Sequence, residues 1–240
     1  MIKNRRSFIV GLKSTILQVK EIQFLKKYKP WGVILFSRNI KSIVQTKKLT
    51  DDIRRIFNDK KYPILIDQEG GRVNRLSNLI DSSNFTGEFF GNLYKKNIKK
   101  FNVFYKIFIN KTCHLLNKIG VNINTVPVLD LRYNKSNNII GDRSFGSSPK
   151  IVSKIGDYFI NQFHKNNIAT VIKHIPGHGL AEVDSHKTTP IVKCKLNDLN
   201  KNDFFAFKNK KSLFAMTAHI VYQDIDKNFT TTHSKEVIKL

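Results

Sequence analysis

Six short apolar runs, separated by longer amphipathic ones, limit what this chain can become. Residues 8–11, 32–36, 62–67, 121–129, 169–173 and 213–218 are rich in Val, Ile, Leu or Phe. They show little polar alternation, so they read as parallel strands buried on both faces. Between them lie helical candidates at 42–57, 99–119, 149–165 and 196–208. In the third, Ile151, Ile155, Tyr158, Phe159 and Phe163 keep a helical spacing. Repeated βα units imply a parallel sheet with right-handed crossovers, either an open doubly wound sheet or a (β/α)8 barrel.

The polar residues decide between the two. Four strands run into Ser37-Arg38-Asn39, Asp67-Gln68-Glu69, Asp130 and Lys173-His174. Barrels gather their active sites at the C-terminal ends of many strands, whereas open sheets concentrate them at a switch point. The pattern therefore predicts an α/β fold, a (β/α)8 TIM-type barrel that is incomplete, with about six of eight βα units. No linker or internal repeat interrupts it, so residues 1–240 read as one barrel domain lacking its last two βα units.

Composition supports a packed core: 40% of the 240 residues are hydrophobic and 18 are Phe. No apolar run approaches the roughly 18 residues that span a bilayer. The apolar stretch near the N-terminus ends at Leu12, before Lys13, with no small-residue cleavage site after it. We read it as an opening strand and expect a cytoplasmic protein. Cys113 and Cys194 match no metal or redox spacing and read as free thiols. The net charge of +24 would attract nucleic acid or anionic surfaces without specificity. It is spread along the chain in pairs such as Lys26-Lys27 and Lys210-Lys211, not concentrated on one element interleaved with stacking aromatics. A basic nucleic-acid-binding protein is the weakest of the readings, and no specific nucleic-acid or membrane partner is expected.

Chemistry is densest in Lys173-His174-Ile175-Pro176-Gly177-His178-Gly179 and the Asp184-Ser185-His186 that follows. His174 and His178 are four apart, as on a zinc-binding helix, but Pro176 and Gly177 would break that helix. The expectation is a loop after a strand, without a metal. Asp184 and His186 suit proton transfer: a carboxylate two residues away can fix the imidazole tautomer and leave the other nitrogen to trade a proton. The alternative is that Asp184 caps a turn and His186 is a solvated loop residue.

These residues also resemble the signature of the N-acetylglucosaminidase branch of glycoside hydrolase family 3. Further blocks agree in order: Gly32-Val33-Ile34-Leu35-Phe36-Ser37-Arg38-Asn39, Ile66 to Leu76, Asn124 to Asp130, Gly141 to Gly146, and Met216 to Tyr222. The resemblance implies that His186 is the general acid/base, assisted by Asp184, and that Asp67, Arg75, Arg143, Lys173 and His174 hold the terminal sugar. It implies no metal or organic cofactor. Its substrate would be an N-acetylglucosamine-containing muropeptide or oligosaccharide, met in peptidoglycan recycling. It gives Glu69, before the Gly70-Gly71 turn, no proton-transfer role; Arg72 reads as a structural residue that pairs locally, and His178 as one that shapes its loop.

A retaining mechanism needs a second group on the anomeric carbon. The family places it in a Ser-Asp-Asp-type segment at the end of the seventh strand, and these 240 residues contain none, so no nucleophile is assigned. The alternatives are an inactive sugar-binding remnant, or one part of a split enzyme. A complementing C-terminal fragment, or self-association through open sheet edges, would then complete the barrel.

Overall fold

The computed structural model describes residues 4–133, 138–183 and 188–239. Its main sheet has six parallel strands: β1 (Arg6–Gly11), β2 (Pro30–Leu35), β3 (Ile64–Ile66), β4 (Ile123–Asn124), β5 (Ala169–Ile175) and β7 (Phe214–Thr217). They lie side by side in chain order, and the short β6 (Ile191–Val192) pairs outside the sheet with β8 (Val221–Tyr222). A doubly wound sheet would reverse its order at a switch point. This one never does, so it is the wall of a barrel, carried through six of the eight strands expected of that fold.

The helices cover the outer face. They are α1 (Val19–Tyr28), α2 (Ile43–Phe57), α3 (Gly87–Lys96), α4 (Ile98–Lys118), α5 (Pro149–Lys165), α6 (Leu196–Lys201) and α7 (Lys235–Ile238). Local chemistry starts several of them. The Ser42, Thr86 and Asn97 side chains accept from the backbone N–H groups of Gln45, Phe89 and Lys100 at the heads of α2, α3 and α4. Pro149 opens α5, where its missing N–H costs nothing.

Two apolar layers follow from this arrangement. Outside the sheet, Val33, Leu35, Ile64 and Ile66 pack with Ile53, Ile109, Leu116, Ile155 and Phe163 of the helices. Inside the wall, Leu65, Ile123 and Val171 form a smaller layer with Trp31, Ile34, Ala169 and Met216. Alternate side chains of neighbouring strands thus fill the two faces, as the period of a strand requires.

The observed elements differ from the sequence expectation in identifiable places. The run at 121–129 yields a ladder only at Ile123–Asn124. Pro127 has no N–H to donate, and the chain there is held irregularly: the Pro127 carbonyl accepts from Lys173 N–H, and Leu129 N–H donates to the Lys173 carbonyl. The helix expected over 196–208 splits into α6 and a 3-10 turn at Phe204–Phe207. Helices α1 and α3 and the β6–β8 pair were not anticipated.

Candidate functional site

Strand β3 delivers two carboxylates to the C-terminal end of the sheet, Asp67 and Glu69. The peptide between them is locked by Asn124, which is fully buried: its Oδ1 accepts from Gln68 N–H and its Nδ2 donates to the Gln68 carbonyl, both at 2.9 Å. The Gln68 side chain turns away and accepts from Leu76 N–H. Both flanking carboxylates are thereby aimed by backbone, not by rotamer preference alone.

Lys173, two residues before the end of β5, meets them. Its ammonium lies 3.2 Å from Asp67 Oδ1 and 2.6 Å from Glu69 Oε1, with its side chain 2% exposed. Thr125 donates to the same Asp67 oxygen. Arg143 reaches Glu69 through two parallel bonds, Nε to Oε2 and Nη2 to Oε1, both 2.8 Å. Arg75 approaches Asp67 at 4.0 Å and stacks its guanidinium 5.8 Å from the centre of the Phe36 ring. Burial would raise the Glu69 carboxyl, but the Lys173 charge and the Arg143 and Lys173 bonds outweigh it and hold it at about 2.

Asp130 follows β4 and is wholly buried. It accepts from His174 Nδ1 at 2.7 Å, from the His174 backbone N–H at 3.2 Å, and from His178 N–H at 2.7 Å. Burial opposes its ionisation, yet the His174 charge and hydrogen bonds keep it below the usual carboxylate range. With Nδ1 committed to Asp130, Nε2 is the His174 nitrogen that a ligand would meet.

Arg143 is placed by close backbone approach. Gly87 and Gly91 turn one face of α3 onto the 143–145 segment, and a Cβ on either would overlap the carbonyl oxygen of Arg143 or Phe145. Arg72 holds the same loop from the other side, 3.0 Å from Asp142 Oδ1 and 2.6 Å from the Asn138 and Ile139 carbonyls. It is structural, as its sequence context suggested, but its partners lie 66–70 residues downstream and not nearby in sequence.

The structure therefore gathers Asp67, Arg75, Arg143, Lys173 and His174 at one end of the barrel wall, with three carboxylates (Asp67, Glu69 and Asp130) among three fixed cations. Asp184 and His186 lie outside the described residues. Sequence reasoning placed Glu69 and Asp130 at strand ends but gave neither a part in holding the ligand, and it missed the locking role of Asn124. One signal was available: three cations around a single carboxylate cannot be buried together, so a second anion had to be near. Among the described residues no three His, Cys, Asp or Glu side chains converge as a metal-ligand group. No described helix is long and apolar enough to cross a membrane.

Charged groups converging from the C-terminal tips of separate parallel strands define the active-site end of a (β/α)-barrel. Their hydrogen-bonding capacity suits a polar, uncharged ligand. The chain belongs to glycosyl hydrolase family 3, whose N terminal domain it matches over residues 12–240. Beta-hexosaminidase A of Pseudoalteromonas piscicida is 32% identical over 223 residues, covering 89% of this chain and 37% of the relative. The beta-hexosaminidase of Hydrogenovibrio crunogenus is 33% identical over 238 residues, covering 96% of this chain and 66% of that protein. Crystalline native NagZ from Neisseria gonorrhoeae superposes with a TM-score of 0.85 at 27% identity, covering 94% of this chain and 66% of its own. NagZ from the same organism in complex with N-trifluoroacetyl-D-glucosamine superposes equally well, with a TM-score of 0.86. The chain thus spans at most about two thirds of the length of these relatives.

Proposed function

We propose that this chain supplies the sugar-binding end of a β-N-acetylhexosaminidase that removes terminal β-linked N-acetylglucosamine, with muropeptides of cytoplasmic peptidoglycan recycling as substrates. The observation that carries this reading is the convergence of Asp67, Arg75, Arg143, Lys173 and His174 on one end of the sheet, in a chain similar to hexosaminidases along nearly its whole length. Asp67 would accept from sugar hydroxyls, while Arg75, Arg143, Lys173 and His174 Nε2 would donate to hydroxyl and acetamido oxygens. Hydrogen bonds to charged groups contribute about 1.5–3 kcal/mol each, enough to orient a neutral sugar.

In the proposed retaining reaction His186 protonates the departing oxygen and Asp184 orients its ring. The same histidine then takes a proton from water in the second step. The attacking carboxylate of such a reaction belongs to the family's seventh-strand segment. A second reading, for these 240 residues alone, is saturable sugar binding without turnover, carried by the same cluster of Asp67, Arg75, Arg143, Lys173 and His174.

Calorimetric titration with N-acetylglucosamine and a chromogenic β-N-acetylglucosaminide assay separate the possibilities. Saturable binding that weakens about tenfold or more in Asp67→Ala is expected. Turnover lost in His186→Ala supports the enzyme, and binding without turnover supports the second reading. Undetectable binding by the folded wild-type chain would overturn both.

A further inference from the structure

The turn after β5 is gripped at three successive residues, on one side by Asp130 of the sugar-facing cluster and on the other by groups outside it. Gly177 sits with φ +146°, and a Cβ there would lie 2.7 Å from Asp203 Cβ. Its carbonyl accepts a hydrogen bond from Tyr222 Oη. His178 N–H donates to Asp130, and Gly179 packs on the Tyr133 ring, with 3.1 Å between Tyr133 Cε2 and a Cβ built at that position. Asp203, which opens the 3-10 turn Phe204–Phe207, is 1% exposed, and its Oδ2 accepts from Tyr133 Oη at 2.7 Å. Asp203 and Tyr133 are 70 residues apart in sequence and bear on Gly177 and Gly179 respectively, the two ends of the same turn.

A chain of contacts links this clasp to the pocket. Asp203 bears on Gly177, Gly177 fixes where the His178 N–H points, and that N–H shares the Asp130 carboxylate with His174. We propose that Asp203 is a positioning residue of the sugar site: clasped by Tyr133, it seats the Gly177–Gly179 turn and, through Asp130, holds the His174 imidazole in place. This rests on the sugar-pocket reading given above.

The surroundings of Asp203 make the role measurable. The titratable groups that act on it are Tyr133, Asp130, Tyr222 and Cys194, from the segments after β4 and β6 and from β8. None of them is a cation. Burial lifts the Asp203 carboxyl to about 6, the Tyr133 bond works against that rise, and the Asp130 charge adds to it. Deprotonation therefore strengthens the Tyr133 bond but places a second negative charge near Asp130, with no cation among the described groups that act on it, and so disturbs the carboxylate that holds His174.

The test is N-acetylglucosamine titration of the wild-type chain and its Asp203→Asn, Asp203→Ala and Tyr133→Phe variants between pH 5 and 8. Wild-type affinity should fall as pH rises, with an inflection near the Asp203 value of about 6. Asp203→Asn keeps the shape and an acceptor for Tyr133, and should bind well with that inflection removed. Asp203→Ala should bind roughly tenfold more weakly throughout. Tyr133→Phe removes the bond that favours ionisation and should move the inflection to higher pH; this variant serves if Asp203→Ala does not fold. Equal affinities and an unchanged inflection in Asp203→Asn and Tyr133→Phe would overturn the positioning role. Failure of the wild type to bind the sugar at all would instead overturn the pocket reading itself.

Discussion

The Lys173 ammonium and the Glu69 carboxylate meet at 2.6 Å, both nearly shut off from solvent. Lys173 lies among the last residues of β5 and Glu69 just beyond β3, strands that are not neighbours in the sheet, because β4 lies between them. The pair therefore reaches across the end of the intervening strand. Glu69 also clamps Arg143, so one carboxylate sets the position of two cations assigned to the sugar.

Removing that carboxylate should be costly. Glu69→Gln keeps the volume but leaves two buried cations with one carboxylate fewer, and truncating one partner of a buried ion pair costs about 3–5 kcal/mol. Urea unfolding at pH 7 is the measurement. A midpoint shift worth less than about 1 kcal/mol would show that solvent, not Glu69, compensates Lys173 and Arg143.

Acid should act on the same residue. Glu69 titrates at about 2 in the folded chain against an ordinary value of 4.5, so the folded state holds fewer protons between those values. Its stabilisation is complete above about pH 4.5 and is lost as pH falls toward 2, by about 3 kcal/mol in all. Unfolding curves collected from pH 6 to 3 should show this slope in the wild type and a shallower one in Glu69→Gln.

Gly91→Ala tests the placement of Arg143. A methyl group there would collide with the Phe145 carbonyl oxygen, so α3 or the 143–145 segment must move. Overpacking of this kind costs about 1–3 kcal/mol, outweighing the roughly 1 kcal/mol that Ala contributes over Gly inside a helix. Thermal melting should show a lowered Tm. Sugar affinity should fall as well, because the displaced segment carries Arg143.

Asp203→Asn should do the reverse at neutral pH. The folded carboxyl stands at about 6 against 3.8 ordinarily, so its contribution is complete below about pH 3.8 and is lost as pH rises through 6. The burden at pH 7.5 is about 3 kcal/mol, and the amide removes the charge that causes it. Denaturation of the variant at pH 7.5 should require more urea than the wild type. At pH 4 the two should nearly coincide.

How much of this was legible in the sequence depended on whether the signal was local. Helix α5 runs over Pro149–Lys165, as the spacing of Ile155, Phe159 and Phe163 and the initial proline indicate. Helix α3 was opaque because Gly87, Gly91 and Asn92 are weak helix formers, and its glycines are there for the backbone of a distant loop. Helix α1 buries only Leu25 completely, too little apolar stripe to announce itself among its lysines. Asp67, Arg75, Arg143, Lys173 and His174 were found through a family likeness, and the fold places them together. Glu69 escaped because its partners are 74 and 104 residues downstream, a distance at which sequence pattern carries no information about pairing.

The matched charges at the sugar-facing end have one more outcome. The chain as a whole carries an excess of 24 positive charges, and its field draws in anything negative from a distance. At the strand tips that excess is offset, since Asp67 and Glu69 pair with Arg75, Arg143 and Lys173, and Asp130 with His174. A phosphate or nucleotide drawn to the surface would gain less further electrostatic advantage by going deeper, whereas the neutral saccharide proposed as ligand would meet donors and acceptors already oriented. On that reading attraction and selection are separated in space: the exterior collects by charge, and the interior selects by hydrogen-bond geometry.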